Sequence, residues 1–239
     1  GVIDGERVTG DVSGRVLETL ERHEVDALVV VGGDGTLSLA DRFAEQGVPV
    51  VGVPKTIDND LLATDQTFGF DTAVGVATEA IDRIHTTAAS HHRVMLVEVM
   101  GRHAGWIALC AGMASGGDVI LVPEIPYTLE AICGAIEARR TRGKHFSIVV
   151  VSEGAAPVGG KQSVYRTVNT GAERGRLGGL AQTLAGAIEA SVGLESRATT
   201  LGHVQRGGTP SPLDRLLATR FGVCAARELL AGRFRTMAS

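Results

Sequence analysis

"DALVVVGGDGTLSLADRFAEQGVPVVGVP", residues 26–54, sets two valine-rich runs on either side of a glycine turn and an amphipathic stretch. Neither run alternates apolar with polar residues, so both expect burial on two faces, as strands of a helix-covered parallel sheet do. The stretch between them, residues 36–46, reads as a helix. Strand, glycine turn, helix and strand is the repeating unit of an α/β protein.

The same unit recurs along the chain. "RVMLVEVMG" (93–101), "DVILVPE" (118–124) and "SIVVVSEG" (147–154) are further buried strands, and "ATTLGHVQRGG" (198–208) is a weaker one that runs into a glycine turn. Helices are expected over residues 11–23, 71–90, 101–114, 128–142, 175–191 and 212–230. Thr128 is a suitable N-cap and Gly143 a suitable stop for the helix between them. Residues 154–171 form the one long irregular stretch, read as a surface loop near the site. Strand and helix alternating in this way give an α/β fold with parallel sheets, whose ligands sit at the carboxyl ends of the strands.

Composition narrows the function classes. The 239 residues are 44% hydrophobic with a net charge of −4, so there is no basic tail to grip nucleic acid or an acidic lipid surface. Aromatics make up 4%, little material for stacking bases. No apolar run has the length of a membrane span and no signal-peptide pattern opens the chain, so a cytoplasmic protein is expected. Cys110, Cys133 and Cys224 are far apart, show no metal-ligand spacing and are expected in the core, as are Trp106 and the methionines. The histidines at 23, 85, 91, 92 and 145 likewise show no ligand spacing. Basic residues 139–144 close a helix and are expected to complement its dipole.

Two strand ends carry the chemistry. "GGDGT", 32–36, leads from a strand into a helix. Glycines let a phosphate approach the backbone, and a helix N-terminus favours an anion. Asp34 has the wrong charge for a phosphate, and its presence makes sense if a Mg²⁺ ion lies between the two. "VGVPKTIDND", 51–60, ends a strand with Pro54 and then sets Thr56, Asp58 and Asp60 at alternate positions. If that segment is extended, the three share one side. One carboxylate there can take a proton from an attacking hydroxyl while another holds metal.

Together with "VMGRHAG" (99–105), "PEIP" (123–126), "SEG" (152–154) and "GHVQRGGTPSPLDR" (202–215), these two motifs resemble the 6-phosphofructokinase family along essentially the whole chain. NAD kinases and diacylglycerol-kinase-like enzymes also carry GGDGT, but they lack the other motifs. The resemblance implies two doubly wound parallel-sheet domains with the active site between them. Residues 1–69 plus 207–239 would handle the donor and residues 70–206 the sugar. It implies phosphoryl transfer from ATP or pyrophosphate to the 1-hydroxyl of fructose 6-phosphate, with Mg²⁺. Asp58 would be the general base, with Thr56, Asp60 and Arg102 supporting the transfer. Gly33, Asp34, Gly35, Thr36 and Lys55 would face the donor, Asp34 as the metal partner. Met100, Gly101, Arg102 and Glu153 would hold the sugar. Arg197, His203 and Arg206 would bind its 6-phosphate, joined by Arg93 reaching from a neighbouring subunit of a homotetramer or homodimer.

The donor signals conflict. Pyrophosphate users in the family tend to have Asp where this chain has Gly35 and Lys where it has Lys55, while common ATP users have Gly at both. A side chain at position 35 would fill space needed by the α-phosphate of ATP, whereas a lysine is flexible and can move aside. Gly35 therefore points to ATP. A non-catalytic regulatory subunit stays open as an alternative, opposed by the presence of both Asp34 and Asp58. A nicotinamide-dependent oxidoreductase lacks its glycine fingerprint here. The family's opening strand would precede Gly1, so the 239 residues by themselves are expected to be inactive or poorly folded. Robust phosphorylation of fructose 6-phosphate by these residues alone would overturn that expectation.

Overall fold

Valine-rich runs that can be buried on both faces become the strands of two parallel sheets. The protein is seen in a computed structural model that describes residues 2–3, 6–7, 10–167 and 175–239. In chain order the elements are β1 (Val2–Ile3), β2 (Glu6–Arg7), α1 (Ser13–Arg22), β3 (Leu28–Gly32), α2 (Asp34–Glu45), β4 (Val50–Thr56) and β5 (Phe68–Gly69). Then follow α3 (Phe70–His91), β6 (Val94–Val99), α4 (Trp106–Ala114), β7 (Val119–Leu121), α5 (Leu129–Thr141) and β8 (Ser147–Ser152). The chain closes with β9 (Val164–Thr167), β10 (Gly175–Leu177), α6 (Leu180–Val192), β11 (Ser196–Thr200), a 3-10 turn (Gly202–Arg206), α7 (Pro212–Leu230) and β12 (Thr236–Met237). These elements divide into two compact units, residues 1–54 with 219–239, and residues 55–218.

The first unit holds a parallel sheet of order β12-β4-β3. Leu28 lies opposite Val50, and the register continues to Gly32 opposite Pro54. Val51 and Val53 are buried in the central strand, while Val29 and Val31 on the edge strand are exposed. Arg235, just before β12, reaches back to Asp41 at 2.7 Å and Glu45 at 3.1 Å on α2.

The second unit holds a four-stranded parallel sheet of order β11-β6-β8-β7. All six residues of β6 and all six of β8 are buried. Strand periodicity then sorts them strictly. Met95, Val97, Val99, Ile148 and Val150 pack under α3 and α4, against Ala77, Ile81, Ile107 and Ala111. Val94, Leu96, Val149 and Val151 face the other way, against Ile132 and Ile136 of α5 and Leu184 and Ile188 of α6. The chain leaves β6 through α4 on one face and leaves its neighbour β8 towards α6 on the other. Such a switch point opens a crevice outside the carboxyl ends of the two strands.

Glu98 is the exception to apolar β6. It is 2% exposed and points to the α6 side. Its Oε1 accepts from the Gly179 amide at 3.0 Å and its Oε2 from the Ala181 amide at 2.8 Å, so the carboxylate caps α6. The expected cap of α5 also forms, with Thr128 Oγ1 accepting from the Ala131 amide at 3.1 Å.

Several expectations are corrected. The helix expected from residue 175 begins at Leu180, because Gly178 and Gly179 have φ of 133° and 78° and break it. Residues 175–177 instead pair antiparallel with β9, inside the stretch expected to be irregular; residues 168–171 of that stretch lie outside the described ones. The helix expected from residue 101 begins at Trp106, after a turn with Gly101 at φ 139° and Arg102 at φ 52°. The strand expected over 198–208 spans Ser196–Thr200 and gives way to the 3-10 turn. Trp106 is 46% and Met113 69% exposed, since α4 buries the face that carries Ile107, Ala108, Ala111 and Gly112 and turns Trp106 and Met113 outward. The three cysteines are half-buried. Among the described residues, no helix is long and apolar enough to cross a membrane.

Replacing Glu98 by Ala removes two buried acceptors and leaves a cavity, so a loss of about 3 kcal/mol is expected. Denaturant unfolding of the variant beside the unsubstituted protein measures it, with Glu98→Gln losing less because one acceptor survives.

Candidate active site

The loops after β6 and β8 meet at the switch point. Glu153 follows β8 and its amide donates to the Val99 carbonyl at 2.9 Å, continuing the ladder past the strand. Its carboxylate accepts from the Arg102 amide at 3.1 Å. Gly101 and Arg102 both have left-handed φ, which Gly101 tolerates and Arg102 does not favour. The turn closes with the Ala104 amide on the Gly101 carbonyl at 2.9 Å. A Cβ at Gly101 would lie 2.5 Å from the Ala104 oxygen, and one at Gly154 would lie 1.7 Å from the Arg102 oxygen. Both glycines are thus required by close backbone approach. Strained positions held by their neighbours are common in functional loops, which makes this turn a candidate.

The 3-10 turn after β11 joins this loop. The Leu201 amide donates to the Glu98 carbonyl at 3.0 Å, and the Met100 amide donates to Gln205 Oε1 at 3.3 Å. His203 and Arg206 are exposed on the turn, and Arg102 is exposed on the loop. Met100, Gly101, Arg102, Glu153, His203 and Arg206 therefore gather at one edge of the sheet.

Arg93 and Arg197 lie at the other edge. Arg93 precedes β6 and Arg197 is the second residue of β11, roughly 10 Å of strand before its end at Thr200. Glu195 links them, accepting from Arg93 Nε at 2.6 Å and from the Arg197 guanidinium.

In the "PKTIDND" segment the extended run stops at Thr56, and Asn59 turns it with φ 51°. This corrects the alternate alignment of Thr56, Asp58 and Asp60: Asp58 is 5% exposed while Asp60 is exposed. The Asp58 amide donates to Thr56 Oγ1 at 3.1 Å. Asn59 Oδ1 accepts from the Thr67 amide at 2.8 Å, and Thr67 Oγ1 donates to the Thr56 carbonyl at 2.9 Å, which pins the loop beside β5. Lys55 is exposed.

Burial pushes the Glu153 carboxyl above the usual glutamate range; the Arg102 amide opposes this, and the Asp58 carboxylate adds to it. Asp58 thus stands close enough to Glu153 for the two charges to be felt.

In the first unit, Gly33 is the N-cap of α2 and Asp34 its first residue. The amides of Thr36 and Leu37 donate to the Gly33 carbonyl, each at 3.0 Å. Gly32 is required by packing, since a Cβ there would lie 2.5 Å from Thr36 Cβ. Gly35 is not: a Cβ there meets nothing within 4 Å among the described residues. Asp34 is exposed at the helix start. An exposed carboxylate fits Mg²⁺, which takes one or two protein carboxylates and fills its octahedron with waters and phosphate oxygens.

Gln205, Glu98 and Thr67 were not singled out by the motifs. A charge inside "VMLVEVM" was a visible signal for Glu98, whereas Gln205 and Thr67 show their importance only as buried polar side chains with partners.

Comparison with known proteins gives a consistent family. The family model described as Phosphofructokinase matches residues 4–229. The chain is 53% identical over 235 residues to a Clostridium perfringens protein named ATP-dependent 6-phosphofructokinase 2, covering 98% of this chain and 64% of that protein. It is 52% identical to an Amycolatopsis mediterranei protein named pyrophosphate--fructose 6-phosphate 1-phosphotransferase, covering 97% of this chain and 67% of that one. The solved structure of phosphofructokinase from Saccharomyces cerevisiae matches with a TM-score of 0.78 at 36% identity, over 92% of this chain and 31% of that chain. This chain therefore spans a part of the length of each.

The raised Glu153 carboxyl has a stability consequence. The folded state keeps this proton after the unfolded chain has lost it near the ordinary value of 4.5. The proton's stabilising effect is complete below that value and is lost as pH rises towards the folded value. Relative to Glu153→Gln, the unsubstituted protein should lose stability as pH climbs through 4.5 and then level off. Paired unfolding curves across that range check it; a constant difference would contradict the burial effect.

Proposed function

The chain belongs to the phosphofructokinase family, and on that premise we propose that it carries out phosphoryl transfer from ATP to the 1-hydroxyl of fructose 6-phosphate. The observation that carries this reading is the buried Asp58 carboxylate beside the strained Met100–Gly101–Arg102 loop and Glu153. A carboxylate with little water around it is a competent proton acceptor for a bound hydroxyl. Glu153 accepts from sugar hydroxyls and Arg102 offers charge to the incoming phosphoryl group. His203 and Arg206 supply donors for the 6-phosphate, where forked guanidinium donors suit a dianion.

In the reaction the 1-oxygen forms a bond to the terminal phosphorus of the donor, the bond from that phosphorus to the leaving oxygen breaks, and Asp58 takes the hydroxyl proton. Positioning and charge provide most of the catalysis in such a transfer. Asp34 would hold Mg²⁺, which supplies charge neutralisation at the donor phosphates when bound. The assembly is read as a homodimer or homotetramer in the cytoplasm, with Arg93 serving a neighbouring subunit's site.

ATP is favoured by Gly35, whose side-chain space is open and whose glycine no packing demands. Pyrophosphate is the second reading, favoured by the exposed Lys55. Fructose 1,6-bisphosphate formation should be measured in the full-length protein with ATP and pyrophosphate in parallel, with and without Asp58→Ser. ATP turnover that falls about a thousandfold in the variant, with sugar binding kept, is the expected result. Pyrophosphate-only turnover would reverse the donor assignment, and an unchanged rate in the variant would remove Asp58 from its role.

A further inference from the structure

Gln205 is 1% exposed, whereas Val204 beside it is 62% exposed and His203 and Arg206 are exposed too. A buried amide needs partners on both of its atoms. Gln205 has them: Oε1 accepts from the Met100 amide at 3.3 Å and Nε2 donates to the Gly202 carbonyl at 3.0 Å. The two bonds run in opposite senses. They require a side chain that is an acceptor at one atom and a donor at the other. Methionine has no donor and only a weakly accepting sulfur, and an ionised glutamate would set a negative oxygen against the Gly202 carbonyl.

What the amide joins is the reason for interest. On one side is the residue that precedes the two left-handed positions Gly101 and Arg102. Besides the turn bond from the Ala104 amide to the Gly101 carbonyl, that loop is held from outside by Glu153 and by Gln205. On the other side is the turn that presents His203 and Arg206.

We propose that Gln205 is a positioning residue for the phosphorylated sugar, setting the Met100–Arg102 loop and the His203–Arg206 turn in one register. It touches no substrate and acts through the backbone of both segments. The inference rests on the sugar-phosphate reading of this site. Its effect falls on affinity for fructose 6-phosphate, because both segments are binding segments, and little of it falls on turnover once the sugar is seated.

The test uses Gln205→Met, which removes both bonds, and Gln205→Glu, which restores them when protonated. A protonated carboxyl donates from its hydroxyl and accepts at its carbonyl oxygen, so acid replaces the lost amide. For Gln205→Met, KM and calorimetric Kd for fructose 6-phosphate should rise about tenfold, with kcat within about threefold. For Gln205→Glu, Kd relative to the unsubstituted protein should be weak at about pH 8 and recover towards it by about pH 6, as a buried carboxyl takes up its proton. A merely structural role predicts loss of folded protein, seen as lower kcat and thermal midpoint at unchanged KM and without recovery in acid, and that result would overturn the proposal. If Gln205→Met does not fold, the acid recovery of Gln205→Glu decides alone. An unsubstituted protein that binds no fructose 6-phosphate overturns the sugar-phosphate reading itself, and this inference with it.

Discussion

A carboxylate in a strand buried on both faces must find its hydrogen-bond donors inside the protein. Glu98 finds them in the amides of Gly179 and Ala181, at the first turn of α6. Much of the second unit follows from that one interaction. It sets where α6 starts, on the face opposite α4. From there α6 returns the chain to β11, which pairs with β6 in parallel from Ser196 opposite Val94 to Thr200 opposite Glu98. Because β11 ends level with Glu98, the turn that follows lies beside the loop that follows β6, and the Leu201 amide reaches the Glu98 carbonyl. A carboxyl group is costly to bury without such partners, so the strand tolerates few other arrangements.

The site built on this frame is held by backbone-to-side-chain bonds more than by packing. Glu153 takes the Arg102 amide, Gln205 takes the Met100 amide and Glu124 takes the Gly105 amide at 2.8 Å. Each satisfies a donor that the helix and the sheet leave over in the turn between β6 and α4. The same arrangement concentrates carboxylates: Asp58 and Glu98 both raise the proton affinity of Glu153. On the proposed reading, a sugar with several hydroxyls would meet acceptors there, and the exposed guanidinium and imidazole groups at the edge would suit its anionic end.

Much of this was legible in residue order. The runs at 50–56, 94–99 and 147–152 read as buried strands because valine and isoleucine without polar alternation fit few other environments, whereas the run at 28–32 forms a strand but, at the sheet edge, leaves Val29 and Val31 exposed. Thr128 read as a cap because a hydroxyl before a helical run has a local partner three residues on. Gly33, Asp34 and Gly35 read as a strand-to-helix turn for a similarly local reason. The stretch from residue 175 misled, since its alanines and leucines favour a helix while Gly178 and Gly179 stop one with backbone angles that composition does not reveal. Trp106 misled as well, because an apolar residue on a short helix is buried or exposed according to which face the sheet takes.

Local chemistry therefore determined the α/β class, the strands, most helices and the candidate motifs, since propensity, capping and turn formation act over a few residues and can be read in order. Tertiary structure alone decided which motifs share a place. It set Arg93 and Arg197 around Glu195 at one edge of the sheet and His203 and Arg206 at the other, although Arg197 and His203 are six residues apart. It buried Asp58 and left Asp60 exposed, because Asn59 turns the chain between them. It made Gln205 a bridge between segments that are about a hundred residues apart. The reason is that strand order and crossover face depend on how a whole sheet closes its core, and no short stretch of residues carries that information.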